Sequence, residues 1–193
     1  MDSLNSSFVV EYTYMPDAGF INIEKIVNQL DIKPNMAIAD FGAGHGFFSV
    51  VFAKKVGPSG QVFAIDILPQ TLEAIRSKSK LEGLFNIKII RGNLEKPNGS
   101  TLGDASCDMV FIANVLFQVS DKLELINEAY RVLKKDGELT VVEWKPYIAL
   151  GPQKERRLSE EELKQLIISK GFGEPKPINA GSHHYGFIFK KSP

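Results

Sequence analysis

Three glycines and two aspartates have types and spacing that could do chemistry. Residues 37–49 read A-I-A-D-F-G-A-G-H-G-F-F-S, so Gly42, Gly44 and Gly46 alternate between two apolar runs. Glycines there remove side chains where a backbone must turn sharply and approach a ligand. Taken alone they equally make a tight turn from strand to helix. The spacing is G-x-G-x-G, with Phe47 where the dinucleotide fingerprint requires its third glycine, which argues against a nicotinamide dinucleotide. Asp40 stands directly before the loop. Two like charges about 4 Å apart repel by roughly 4 kcal/mol at an effective dielectric of 20, so Asp40 opposes a pyrophosphate and favours a cation.

S-adenosylmethionine, with an ammonium, a sulfonium and one carboxylate, has the charge that suits such a loop. Asp66, in V-F-A-I-D-I-L, follows Gly46 by twenty positions. A carboxylate there can accept from both ribose hydroxyls of an adenosine, with Ile67 and Leu68 covering the adenine. The alternative role is an N-terminal cap for a helix opening near Pro69. On the substrate side the candidates are Asn114, Glu143, Trp144, Lys145 and Tyr147. Asn114 is the strongest, because an amide in F-I-A-N-V-L-F is expensive to bury unpaired; it could also simply cap a turn. His183 and His184, beside Tyr185, titrate near neutrality and could take a proton from an oxygen or nitrogen nucleophile, or sit in a solvated turn.

The elements that would position these residues alternate. Short apolar runs at 36–39, 61–65, 86–90, 107–113 and 138–143 read as buried strands. Helical spacing recurs at 21–30, 45–55, 69–82, 121–134 and 159–170. Ser159 and Glu162 form a capping-box pattern, and 57–60 and 135–137 are turns. This alternation predicts an α/β fold with a mostly parallel sheet covered on both faces. Only four residues, 181–184, join runs at 174–180 and 185–190, too few for a parallel crossover, which predicts a final antiparallel hairpin. If its first strand runs parallel to the others, its turn lies at the ligand edge. Residues 1–20 are a mixed arm whose Tyr12 and Tyr14 could form a lid or a dimer contact.

Four segments together resemble the class I S-adenosylmethionine-dependent methyltransferases: D-F-G-A-G-H-G, V-F-A-I-D-I, C-D-M-V-F-I-A-N-V-L and E-A-Y-R-V-L-K-K-D-G-E-L-T-V-V-E-W. The last two are similar to the branch related to ubiquinone and menaquinone biosynthesis. The resemblance runs from about residue 32 to 190 and implies a Rossmann-like seven-stranded sheet of order 3-2-1-4-5-7-6 with strand seven antiparallel. It implies cofactor contacts from Asp40, Phe41, Gly42, Gly44, Gly46, Asp66, Ile67, Asn93, Leu94 and Asn114, and methyl transfer by in-line displacement, with Asn114, His183 and His184 as catalytic candidates. The chain departs from the family at Asn93, where an acid is common, and at Phe117, where related sequences often carry histidine. A non-catalytic protein that keeps this fold is the alternative.

With 193 residues, 44% hydrophobic and 24% charged, the chain has the length of one domain, residues 1–30 being expected to cover the cofactor site. Balanced charge, 23 basic against 23 acidic residues, argues against nucleic acid. The single cysteine excludes an intramolecular disulfide and a multi-cysteine zinc site, and no metal is expected. No apolar stretch approaches the roughly 20 residues of a membrane span, and the start does not read as a secretory signal, so a cytoplasmic protein is expected. The acceptor is expected to be a small molecule, and a homodimer is possible.

Overall fold

The computed structural model describes residues 21–192. The arm with Tyr12 and Tyr14 lies outside the described residues. Seven strands form one sheet of order β3-β2-β1-β4-β5-β7-β6: β1 (Ala37–Phe41), β2 (Gln61–Asp66), β3 (Ile87–Arg91), β4 (Cys107–Ala113), β5 (Leu133–Trp144), β6 (Lys176–Ile178) and β7 (His184–Lys190). The pairs among β1 to β5 are parallel, and β7 is antiparallel to both β5 and β6. The order and the terminal hairpin agree with expectation, although β6 is shorter than the segment expected at 174–180. Its Pro177 lacks a backbone N–H, which an edge strand tolerates.

Strands buried on both faces split their side chains between two cores. On one side Val110, Ile112, Leu139, Val141, Phe187 and Phe189 pack under α4 (Lys122–Val132) and α5 (Glu160–Ile168). On the other, Ile38, Val62, Met109 and Phe111 pack under α1 (Ile23–Val27) and α2 (Phe47–Val56). Residues 109 to 112 thus alternate strictly between the layers. α3 (Pro69–Leu81) covers β2 and β3 through Leu72 and Ile75.

Helix ends follow local chemistry. Asp121 caps α4 by accepting the Glu124 N–H at 2.9 Å, and Ser159 and Glu162 close the expected capping box on α5. α2 begins two residues later than its apolar spacing suggests, because Gly46 has φ 73° and forms its N-cap. The turn expected at 135–137 is instead a bulge within β5. Two residues of advance along β4, Cys107 to Met109, face five along β5, Leu133 to Glu138, and Asp136 takes φ 61° in the excess. Among the described residues no helix is long and apolar enough to cross a membrane.

Candidate functional site

The carboxyl ends of β1, β2, β4 and β5 lie at one edge of the sheet, where open parallel sheets bind ligands. After β1 the chain turns through Gly42, Gly44 and Gly46 at φ 70°, 53° and 73°, the left-handed region that side chains disfavour. The N–H groups of Gly42 and Ala43 both donate to the Ile65 carbonyl at 2.9 Å, tying the loop to β2. Packing explains two glycines: a Cβ at Gly42 would lie 2.4 Å from Val115 Cγ2, and one at Gly46 would lie 2.7 Å from Ile75 Cγ1. At Gly44 no atom of the described residues stands within 4 Å of that position. This glycine faces open space.

Asp66 joins the loop to the end of β2. Its Oδ2 accepts the Gly44 N–H and its Oδ1 the Leu68 N–H, both at 2.9 Å. The N-cap of α3 is Leu68, without a side-chain cap bond, so Asp66 does not fill the expected alternative role. Its oxygens keep lone pairs beyond these two bonds, as a carboxylate accepts about four. Beside it Ile67 and Leu68 are 49% and 45% exposed, an apolar surface left uncovered at the same edge.

Other expected cofactor residues are placed differently. Asp40 is buried beneath the loop, where Ser49 Oγ donates to its Oδ2 at 2.5 Å. Burial raises its carboxyl to about 7, against the lowering bond from Ser49 and with a smaller contribution from the charge of Asp66. Its influence on a ligand therefore passes through the electrostatic field. The side chains of Phe41 and Leu94 are in the core, which leaves only their backbones for a ligand. This differs from a contacting role for those side chains. Asn93 is half-buried, with Oδ1 accepting the Glu95 N–H at 3.0 Å. Ser49 is missing from the sequence reading; a lone serine in the apolar run F-F-S-V-V-F, a helical turn past the loop, was its only signal.

On the acceptor side, Asn114 directly follows β4 at φ 59°. Its N–H donates to the Val142 carbonyl at 2.9 Å, while its buried Oδ1 has no hydrogen-bond partner among the described residues. Glu143, near the end of β5, accepts the Val115 and Leu116 N–H groups on Oε1 at 2.9 and 2.7 Å. Its carboxyl is raised to about 7 by burial, against those backbone bonds. Val115, pinned in this way, is the residue that fills the space over Gly42. His184 is not in a solvated turn: it begins β7, is buried, and lies 4.2 Å from the Trp144 ring. His183 is half-buried, its Nδ1 2.8 Å from Ser182 Oγ, and its carbonyl accepts the Lys145 N–H. The hairpin turn does lie at the carboxyl edge, since His184 pairs with Trp144.

A family model described as a methyltransferase domain matches residues 32–175. The chain belongs to that family. The demethylmenaquinone methyltransferase of Listeria welshimeri is 34% identical over 113 residues, 58% of this chain and 46% of that protein. The ubiquinone/menaquinone biosynthesis C-methyltransferase UbiE of Pectobacterium carotovorum is 29% identical over 187 residues, 93% of this chain and 70% of that one. A SAM-dependent methyltransferase from Aquifex aeolicus superposes with a TM-score of 0.81 at 26% identity, covering 89% of this chain and 90% of its own. The match to the first of these curated relatives spans about half of that protein's length. The methyltransferase family and the sheet order identify a class I methyltransferase fold, whose cofactor is S-adenosylmethionine. The residues present fit that cofactor. Gly44 leaves room for it, Asp66 has acceptor capacity for hydroxyls, Ile67 and Leu68 expose apolar surface, and Asn114 Oδ1 is a buried acceptor awaiting a donor.

Proposed function

We propose that the protein transfers a methyl group from S-adenosylmethionine to a small-molecule acceptor, with a ring carbon of a quinol-like compound the leading class. The observation that carries the reading is the open Gly44, hydrogen-bonded to an Asp66 that keeps free acceptor capacity. When bound, the cofactor supplies an electrophilic methyl on a sulfonium. Asp66 would hold the ribose, the exposed faces of Ile67 and Leu68 the adenine, and Asn93 the edge of the base. Gly42, Gly44 and Gly46 bring backbone to the methionine part, and Asn114 offers its Oδ1 to the ammonium or to the acceptor. The quinol class comes from the names of the relatives; a ring carbon activated as its phenolate needs no protein base before attack, and the ring proton then leaves to water as aromaticity is restored. For an oxygen or nitrogen acceptor, His183 is the better placed base, because His184 is packed against Trp144. The chain's contribution to rate is mainly to hold the nucleophile in line, about 3 Å from the methyl.

Calorimetric titration with S-adenosylhomocysteine tests the first step, and saturable one-site binding is the expected result. Transfer of tritium from labelled S-adenosylmethionine to a component of a metabolite extract tests the second. Binding without any labelled product would favour the non-catalytic reading, and absence of binding would overturn both.

A further inference from the structure

A buried polar centre outside the cofactor loop is Arg157. It follows a short 3-10 turn (Lys154–Arg156) on the connection from β5 to α5. Only 7% of its surface is exposed. Among the described residues no carboxylate forms an ion pair with it. All five of its N–H groups, the full capacity of a guanidinium, instead go to backbone carbonyls of the segment just before it. Nε donates to Pro152 O at 2.9 Å, Nη1 to Lys145 O at 3.0 Å and Ile148 O at 2.8 Å, and Nη2 to Leu150 O at 2.8 Å and again to Pro152 O. The guanidinium also lies 5.7 Å from the Trp144 ring.

A buried cation satisfied only by neutral carbonyls is expensive to desolvate, and its geometry fixes four carbonyls of one eight-residue segment. Residues 145–152 leave β5 at the carboxyl edge. Gly151 lies against Trp144, where a Cβ would come within 2.6 Å of the ring, and Tyr185 Oη bonds the Leu158 carbonyl at 2.9 Å on the far side. The segment so held presents Tyr147 and Leu150, 69% and 51% exposed. A cavity of about 340 Å³ separates Arg157 and Leu158 from Phe117 and Gln118 of the segment following β4. Arg157 itself thus lines the space between the connections after β4 and β5, and the loop it wraps begins two residues after Glu143, which holds the Val115 and Leu116 N–H groups of the β4 connection.

We propose that Arg157 is a positioning residue for the methyl acceptor: its guanidinium holds residues 145–152 as a preformed wall of the acceptor site, with Tyr147 and Leu150 as its apolar face. The proposal rests on the methyltransferase reading for the word acceptor, but not for the hold of Arg157 on the loop. A flexible loop would have to be ordered at each encounter with the acceptor, which weakens binding. A lysine carries the charge, yet its three donors and point-charge geometry cannot reproduce the fork.

The test compares Arg157→Met and Arg157→Lys with the unmodified protein. Trp144 is the only tryptophan, so its emission reports directly on the loop, and chymotrypsin reads access to Tyr147. The expected result for Arg157→Met is a red shift of emission, cleavage at Tyr147 at least tenfold faster, and S-adenosylhomocysteine affinity within twofold of the unmodified protein. Labelled product in the extract assay should fall at least tenfold, with Arg157→Lys recovering only part of each effect. Unchanged emission and cleavage would overturn the hold on the loop. A loosened loop with undiminished methyl transfer, or a loss of S-adenosylhomocysteine affinity as large as the loss of product, would overturn the acceptor role. If Arg157→Met does not fold, the same readings on Arg157→Lys decide. If the unmodified protein neither binds S-adenosylhomocysteine nor labels any product, the methyltransferase reading fails and takes the acceptor role with it, while emission and proteolysis still decide the loop.

Discussion

Asp66 and Gly44 meet through one hydrogen bond, and they respond differently to substitution. Asp66→Ala removes the carboxylate proposed to hold the ribose and also frees the Gly44 and Leu68 N–H groups. Hydrogen bonds to a charged group contribute about 1.5–3 kcal/mol, so calorimetry with S-adenosylhomocysteine should show at least a tenfold loss of affinity. Gly44→Ala meets no neighbour but must hold a left-handed backbone, which costs roughly 1–2 kcal/mol. It is expected to fold with a lowered Tm and to bind S-adenosylhomocysteine at least tenfold more weakly, because its methyl enters the ligand's space. Asp40 gives a pH signature. Its buried carboxyl titrates at about 7, whereas in the unfolded chain it releases its proton near 4. The folded state therefore binds the extra proton between those values, and stability declines as pH rises from about 4 to about 7 and then levels off. Asp40→Asn removes that dependence, so in cofactor-free protein its Tm relative to the unmodified chain should rise from pH 5 to pH 8. Equal differences at the two values would contradict the burial argument.

The elements that carry the site were legible where local chemistry decides them. Ser159 and Glu162 announced a helix start, and the structure has the capping box there. Ser159→Ala should cost about 1 kcal/mol and lower Tm by about 2–4 °C in thermal unfolding followed by circular dichroism, without altering cofactor affinity. The glycine loop, the acid at the end of β2 and the antiparallel hairpin were equally readable, because spacing, charge and connection length are local properties. What was not readable depends on partners far along the chain. Nothing in residues 37–49 says that Val115 will fill the space over Gly42. His184 reads as a turn residue from its neighbours and is buried because β7 pairs along the whole end of β5. Nothing in the R-R pair at 156–157 says that Arg157 will be buried. Its burial follows from a loop whose path the sequence does not state.

At the scale of the whole molecule, one ligand at the carboxyl edge should bridge the connections after β1, β2, β3 and β4, and so report on the fold as a unit. S-adenosylhomocysteine at about 100 times its Kd adds roughly 2.7 kcal/mol to the folded state, which for a chain of this length raises Tm by about 5–10 °C. No shift at saturating ligand would contradict the assignment of the site. The sheet order also constrains how the chain can be made. β7, the strand latest in sequence, is inserted between β5 and β6 and pairs with seven residues of β5, Glu138 to Trp144. While a ribosome is still adding those residues, the apolar edge of β5 has no strand beside it, and such an edge is a template for pairing with other chains. Domain-by-domain folding during synthesis therefore gives this sheet little protection until residue 190 has emerged. A nascent chain halted before β7 should be the form on which a chaperone acts, and its ribosome-bound complexes should aggregate more readily than those carrying the finished hairpin.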